Sequence, residues 1–247
     1  MIVAVGVKTG IKKEMCDDTA VVNDTIINDD YREIETGNIN IIGVADGVGG
    51  ISGGKQASLF VSKNIIQMVL NDTVDGLKEQ LFDLNNSLIS YASSATEHTQ
   101  MATTFTALVV SAGKHFLIHI GNTRMYVGQG SYLKQYTQDH TTYQWLLSRG
   151  QTEAAESCNK NEIYSCLGGG NKDLINQIEV HQVFENEFPD CIVFTSDGVH
   201  EYVDIDRLEE IVFSGIPNLD IAKRVIDEAE ANGSEDDKTI IILRKRA

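Results

Sequence analysis

Segments of β-like and helical periodicity fall in blocks along this chain, and that blocked order limits its fold more than any other feature. Apolar, β-branched runs open the sequence as IVAVGV (residues 2–7), TAVVND (19–24) and NINIIGVAD (38–46). Two stretches with helical spacing follow. Residues 55–70 carry Ala57, Phe60, Val61, Ile65, Met68 and Val69, and residues 75–92 carry Leu77, Leu81, Leu84, Leu88 and Tyr91. From Thr103 the period returns to two in TTFTALVVS, KHFLIHIG, TRMYVGQ and SYLKQYT, which predicts an antiparallel meander with Gly-containing turns. A short helix is expected over 141–149, closed by Gly150, and the polar residues up to Gly170 read as a mobile loop. Strands over 175–183 and 191–195, helices over 205–213 and 218–231, and a strand over 238–244 complete the order. This segregation favours an α+β layered fold, with helices covering the outer faces of a β-sandwich, over a doubly wound parallel sheet.

The 247 residues, 42% hydrophobic with prolines only at Pro189 and Pro217, predict a single domain over 1–247 with no Pro-rich linker. A formal charge of -16 argues against a nucleic-acid partner, because phosphate neutralisation needs a basic surface. No apolar run approaches the ~20 residues of a bilayer span, so no membrane association is expected. Cys16, Cys158, Cys166 and Cys191 show no CxxC spacing and the N-terminus reads as a strand, not a secretory leader. Reduced thiols and a cytoplasmic location follow as expectations.

The chemistry concentrates in carboxylates at strand ends. Asp46 follows the apolar run IIGVA, and Asp197 follows IVFTS; each is succeeded by glycine. Asp17 and Asp18 precede TAVV, and Asp236 and Asp237 precede KTIIILR. Taken singly, an Asp-Gly pair is also a common hairpin turn. As a set, acids brought together repel and raise one another's pKa unless a cation neutralises them, and an all-oxygen donor set suits hard divalent ions.

The ordered motifs resemble the metal-dependent type 2C family of Ser/Thr protein phosphatases, from about Lys13 to Leu243. They are Lys13 with Asp17-Asp18, Asp46-Gly47-Val48-Gly49-Gly50, Met101-Ala102-Thr103-Thr104, Gly121-Asn122-Thr123-Arg124, Tyr136-Thr137-Gln138-Asp139-His140, Ser196-Asp197-Gly198 and Asp236-Asp237-Lys238-Thr239. The resemblance implies a four-layer α-β-β-α sandwich, two antiparallel sheets flanked by helix pairs. It implies two Mn²⁺ or Mg²⁺ ions bridged by Asp46 and a water or hydroxide, with Asp197 and Asp236 on one ion and the Gly47 carbonyl on the other. Asp17 and Asp18 would act directly or through waters, and Lys13 would grip the substrate phosphate. The implied reaction is hydrolysis of phosphoserine or phosphothreonine in a phosphoprotein, the product of a Ser/Thr kinase, by a monomeric enzyme without a phosphoenzyme.

Three positions depart from the family pattern. Lys13 stands where Arg is typical and offers a point charge in place of a planar fork. Asn122 replaces the aspartate of the GDSR turn, a weaker ligand that counts against a third ion. Val48 stands where animal members carry histidine, as in bacterial members. Two alternatives stay open at this stage: a pseudophosphatase that binds phosphoproteins without turnover, and a hydrolase of small phosphoesters. His140 reads as a positioning residue, since its neighbour Asp139 should face the other way. His98, His115, His119, His181 and His200 carry no metal-site spacing.

Overall fold

The computed structural model describes residues 1–48, 53–95, 100–185 and 187–246. One sheet runs in the order β10 (Tyr132–Gln135), β9 (Arg124–Gln129), β13 (Cys191–Thr195), β14 (Lys238–Arg244), β1 (Ile2–Lys8) and β4 (Asp30–Glu35). The other runs β12 (Glu179–Val183), β8 (Lys114–Ile120), β7 (Phe105–Ser111), β5 (Ile41–Ala45), β2 (Thr19–Val22) and β3 (Thr25–Ile27). All neighbours in both sheets are antiparallel. A short ladder joins β6 (Ala102–Thr103) to β11 (Leu167–Gly168).

Side-chain alternation sorts these strands into three apolar layers. Val3, Val5, Ile42, Val44, Phe194 and Ile241 point between the sheets. Their sequence neighbours point outward: Ile41, Ala107 and Phe116 meet α1 (Gly54–Ile65) and α2 (Val74–Ser94), while Val193, Ile240 and Ile242 meet α6 (Ile205–Val212) and α7 (Asn218–Ala231). The result is the α-β-β-α sandwich with helix pairs outside. Each fully buried Phe, Leu or Ile contributes about 1.5–3 kcal/mol, so the β-branched runs are what bind the layers. Helix α2 starts at Thr73, whose hydroxyl accepts from the Gly76 N–H at 3.2 Å. Among the described residues no helix is long and apolar enough to cross a membrane.

Several local expectations need correction. The meander is split: β8 pairs with β7, but β9 and β10 belong to the other sheet. The chain changes sheet at Gly121, whose φ of 102° suits glycine alone, and alternation cannot tell which sheet a strand joins. The first strand block also contains β3, only three residues long, and β4, whose charged sequence DYREIE gives little apolar signal. Helix α1 ends at Ile65, five residues before the expected Leu70, because tight turns close on Asn64 and Ile65. The expected mobile loop contains α4 (Thr152–Ser157), in which Ala155 alone is buried, and β11. The strand expected from Ile175 begins at Glu179, after a 3-10 turn over Lys172–Gln177. The remaining short helices are α3 (Thr142–Ser148) and α5 (Asp197–His200).

Candidate active site

Antiparallel pairing brings the C-terminal ends of β1, β5, β8 and β13 to the same pole as the N-terminal ends of β2, β7, β9 and β14. The acidic motifs sit at those ends. A cleft of about 270 Å³ opens there, lined by Asp46, Gly47, Val48, Thr104, Asn122, Asn159, Asn161, Ile163, Asp197 and Asp236. A larger concavity of about 600 Å³ lies at the opposite pole, but among the described residues Asp24 is the one charged residue along it. Size therefore does not locate the chemistry.

Asp46 is held by its backbone. Its carbonyl accepts from the Thr104 N–H at 2.8 Å and the Thr103 hydroxyl at 2.8 Å, and its N–H donates to the Thr104 hydroxyl at 3.1 Å. Gly47 donates to the Asp17 carbonyl at 3.2 Å and packs on Gly54 so closely that a Cβ would overlap the Gly54 backbone. That contact fixes the Gly47 carbonyl beside the cleft at the start of α1. Gly49 and Gly50 of the same turn, like His98, lie outside the described residues.

The acids beneath and around the cleft strain against one another. Burial pushes the Asp46 carboxyl well above the ordinary carboxylate range, and the charges of Asp18, Asp197 and Asp236 push it further. Burial, then Asp236, raises Asp197, against the opposing amide of Asn122, which donates to its Oδ2 at 2.9 Å. Asp18, 1% exposed, is pushed up to about 7 by burial and by Asp237, despite a 2.7 Å hydrogen bond from the Thr239 hydroxyl. Among the described residues no ammonium or guanidinium comes within ion-pair distance of Asp18, Asp46 or Asp197. Their deficit is one of positive charge.

Lys13 meets a different part of the cluster. Its ammonium lies 2.5 Å from Asp236, 3.0 Å from Asp237 and 3.6 Å from Asp17. Burial opposes the charge on Lys13, but these carboxylates outweigh burial and hold its proton more firmly than water does. Asp17 also accepts from the Lys55 N–H at 3.0 Å, at the start of α1, and burial raises its pKa. Asp237, 2% exposed, accepts from the Gly10 N–H at 2.8 Å and the Asp17 N–H at 2.7 Å, tying the loop after β1 to the loop before β14. Sequence reading put Asp237 beside Asp236 without a task, because the N–H groups it accepts from lie more than 200 positions away.

Among the described residues, no three His, Cys, Asp or Glu side chains meet closely enough to form a ready-made metal cage. Asp46, Asp197 and Asp236 instead line one cleft, with Asp18 against Asp46. An oxygen-only donor set whose carboxyls raise one another's pKa fits hard divalent cations, which would relieve the repulsion.

The protein phosphatase 2C family profile matches residues 18–225. The serine/threonine phosphatase Stp of Listeria welshimeri is 25% identical over 216 residues, 83% of this chain and 84% of that protein. The protein phosphatase PhpP of Streptococcus pneumoniae is 26% identical over 227 residues, 87% and 91% of the two chains. In fold, the chain resembles the crystal structure of the Staphylococcus aureus serine/threonine phosphatase Stp1, with a TM-score of 0.81 at 21% identity over 99% of this chain and 95% of that one. The Mycobacterium tuberculosis phosphatase PstP/Ppp superposes with a TM-score of 0.75 at 20% identity over 100% of both chains.

Proposed function

This chain belongs to the protein phosphatase 2C family, and from that premise we propose that it is a metal-dependent protein serine/threonine phosphatase, one catalytic domain over 1–247. The observation that carries the reading is the convergence of Asp46, Asp197 and Asp236 from distant strand ends on one cleft, with Asp18 against Asp46 and, among the described residues, no cation paired with Asp18, Asp46 or Asp197. Curated relatives that match most of their own length are named serine/threonine phosphatases, which supports the choice of reaction.

In this reading Asp46 and the Gly47 carbonyl would hold one Mn²⁺ or Mg²⁺ ion, and Asp46, Asp197 and Asp236 would hold a second, with Asp17 and Asp18 beside them. When bound, paired ions of this kind lower the pKa of water and offset charge on a phosphoryl group during in-line displacement. The chain's own groups do the positioning. Thr103 and Thr104 pin the Asp46 backbone, Asn122 aims Asp197, and Thr239 orients Asp18. Neutral Asn159 and Asn161 line the cleft without adding charge, and the Asn161 amide donates to Glu201 at 3.0 Å. Lys13, joined to Asp236, brings the positive charge nearest the incoming phosphate. Asn122 spends its amide on Asp197, which counts against a third ion there. The substrate is a phosphoprotein, product of a Ser/Thr kinase, and buried free thiols at Cys16, Cys166 and Cys191 suit a reducing cytoplasm.

The deciding experiment is hydrolysis of a phosphothreonine peptide and of a small aryl phosphate, with Mn²⁺, Mg²⁺ or EDTA. Metal-requiring turnover with higher kcat/KM on the peptide is expected. Higher kcat/KM on the small ester overturns the protein-phosphatase reading in favour of a small-phosphoester hydrolase. No turnover by folded protein with either metal overturns the enzyme reading in favour of a phosphoprotein-binding pseudophosphatase.

A further inference from the structure

His140 touches neither the cleft lining nor any of the acids named above, and it is 4% exposed. Its ring Nδ1 accepts from the Gly121 N–H at 3.1 Å, and the His140 backbone N–H donates to the Gly121 carbonyl at 2.8 Å. A ring nitrogen that accepts carries no proton, so the proton is on Nε2, which faces Glu179 Oε1 at 3.6 Å. The ring packs between His119 and Tyr164, with centroids at 4.7 and 5.8 Å.

The preceding residue holds the other end of the same turn. Asp139 takes the Arg124 guanidinium through both carboxylate oxygens, at 2.6–3.1 Å. Thr123 is tied by the Thr106 hydroxyl, at 2.6 Å to its own hydroxyl. Asn122 is left between these anchors with its amide directed at Asp197.

We propose that Asp139 and His140 act as a clamp on the turn from Gly121 to Arg124, and that His140 is a positioning residue which sets the Asn122 amide against Asp197. The pair looks like a catalytic dyad in sequence, yet its members face apart and grip opposite ends of one turn. The idea rests on the phosphatase reading only for what Asp197 does; the clamp itself is a matter of the Gly121 backbone. Removing the Nδ1 acceptor leaves a buried N–H without a partner and frees the turn to shift, and partners that orient a metal ligand typically matter by about 10–100-fold in affinity or activity.

The test measures Mn²⁺ binding by calorimetry, turnover of a phosphothreonine peptide, and hydrogen exchange at the Gly121 amide. His140→Phe keeps the ring volume and deletes the acceptor; His140→Asn restores an acceptor near Nδ1. The first is expected to weaken Mn²⁺ binding and lower kcat by about 10–100-fold, with KM changed less and the Gly121 amide exchanging faster. His140→Asn recovers most of each loss. Asn122→Ala matches His140→Phe in Mn²⁺ affinity, and the double variant is no worse than the weaker single one, because both act through one contact. Wild-type Mn²⁺ affinity in folded His140→Phe overturns the proposal, as do losses that multiply in the double variant. Should His140→Phe not fold, Asn122→Ala decides alone: unchanged Mn²⁺ affinity overturns the clamp's purpose, and a 10–100-fold loss supports it. Wild-type protein that binds Mn²⁺ but turns over no phosphopeptide would defeat the phosphatase reading and leave the clamp measurable by calorimetry.

Discussion

The two poles of the sandwich are built from the same strands and could hardly differ more. At one, β5 runs out into Asp46, β13 is followed two residues on by Asp197, and β2 and β14 begin after acidic pairs. At the other, β2 is followed by Asn23 and β7 by Ala112, residues with φ of 54° and 49° that simply reverse the chain. The wide concavity at that second pole is lined by Ile65, Ile66, Met68 and Leu70, and its polar side chains are spent locally: the Ser111 hydroxyl donates to the Leu70 carbonyl at 2.8 Å, and Asn23 accepts from the Asn40 N–H at 2.8 Å. One pole satisfies itself; the other holds carboxyls that repel. The difference teaches that a site is marked by unresolved electrostatics more than by volume.

The sharpest way to break the contrast is to remove a central acid. Asp46→Asn or Asp197→Asn is expected to cost turnover on a phosphothreonine peptide at least the roughly 10²–10³-fold that losing a single charge-stabilising group costs, with the circular dichroism spectrum unchanged. Activity near wild type in either variant would end the metal assignment. Next in size is the response to metal. Mn²⁺ at about 100 times its Kd should stabilise the native protein by about 2.7 kcal/mol, read as a rise in Tm, and Asp46→Asn should lose most of that rise. An equal rise in the variant would place the ions elsewhere.

Acidity offers a third handle, in EDTA. Asp18 has a folded pKa of about 7, against roughly 3.9 for an unfolded aspartate. Between those values the folded chain holds more protons than the unfolded one, so stability from this group falls as pH rises from about 4 to about 7. Asp18→Asn should flatten that part of the Tm profile and raise Tm in EDTA at pH 8, about 2–4 °C for each kcal/mol recovered. An unchanged profile would show that Asp18 does not feel its neighbours. The smallest effect belongs to the quiet pole: Ser111→Ala should cost about 0.5–1.5 kcal/mol of stability and leave kcat/KM untouched.

Much of this was legible before any coordinates. The layered α+β architecture follows from strand and helix blocks, because alternation and helical spacing are local properties of residues such as Val3, Val5 and Val7 or Leu77, Leu81 and Leu84. The position of β9 was not legible, since Met125 and Val127 alternate equally well in either sheet and only the Gly121 turn decides. Edge strand β4 hid for another reason, because its sequence DYREIE buries no residue fully. At the site, Asp46, Asp197 and Asp236 were visible as acids at strand ends and do share the cleft. Asp237, Thr104 and Thr239 were not distinguished, as their tasks consist of hydrogen bonds to residues more than 50 positions away.

One arrangement also bears on timing. Gly10 lies so close to the loop before β14 that a Cβ would collide with the Glu235 carbonyl, and β14 is inserted between β13 and β1. A strand more than 200 residues from β1 therefore fills the middle of its sheet, and it brings Asp236 and Asp237 with it. A nascent chain halted before Lys238 has β1 and β13 with nothing to join them, Lys13 with two of its three carboxylates unanchored, and Asp18 without the Thr239 hydroxyl. One strand thus closes the sheet and completes the cleft in the same step.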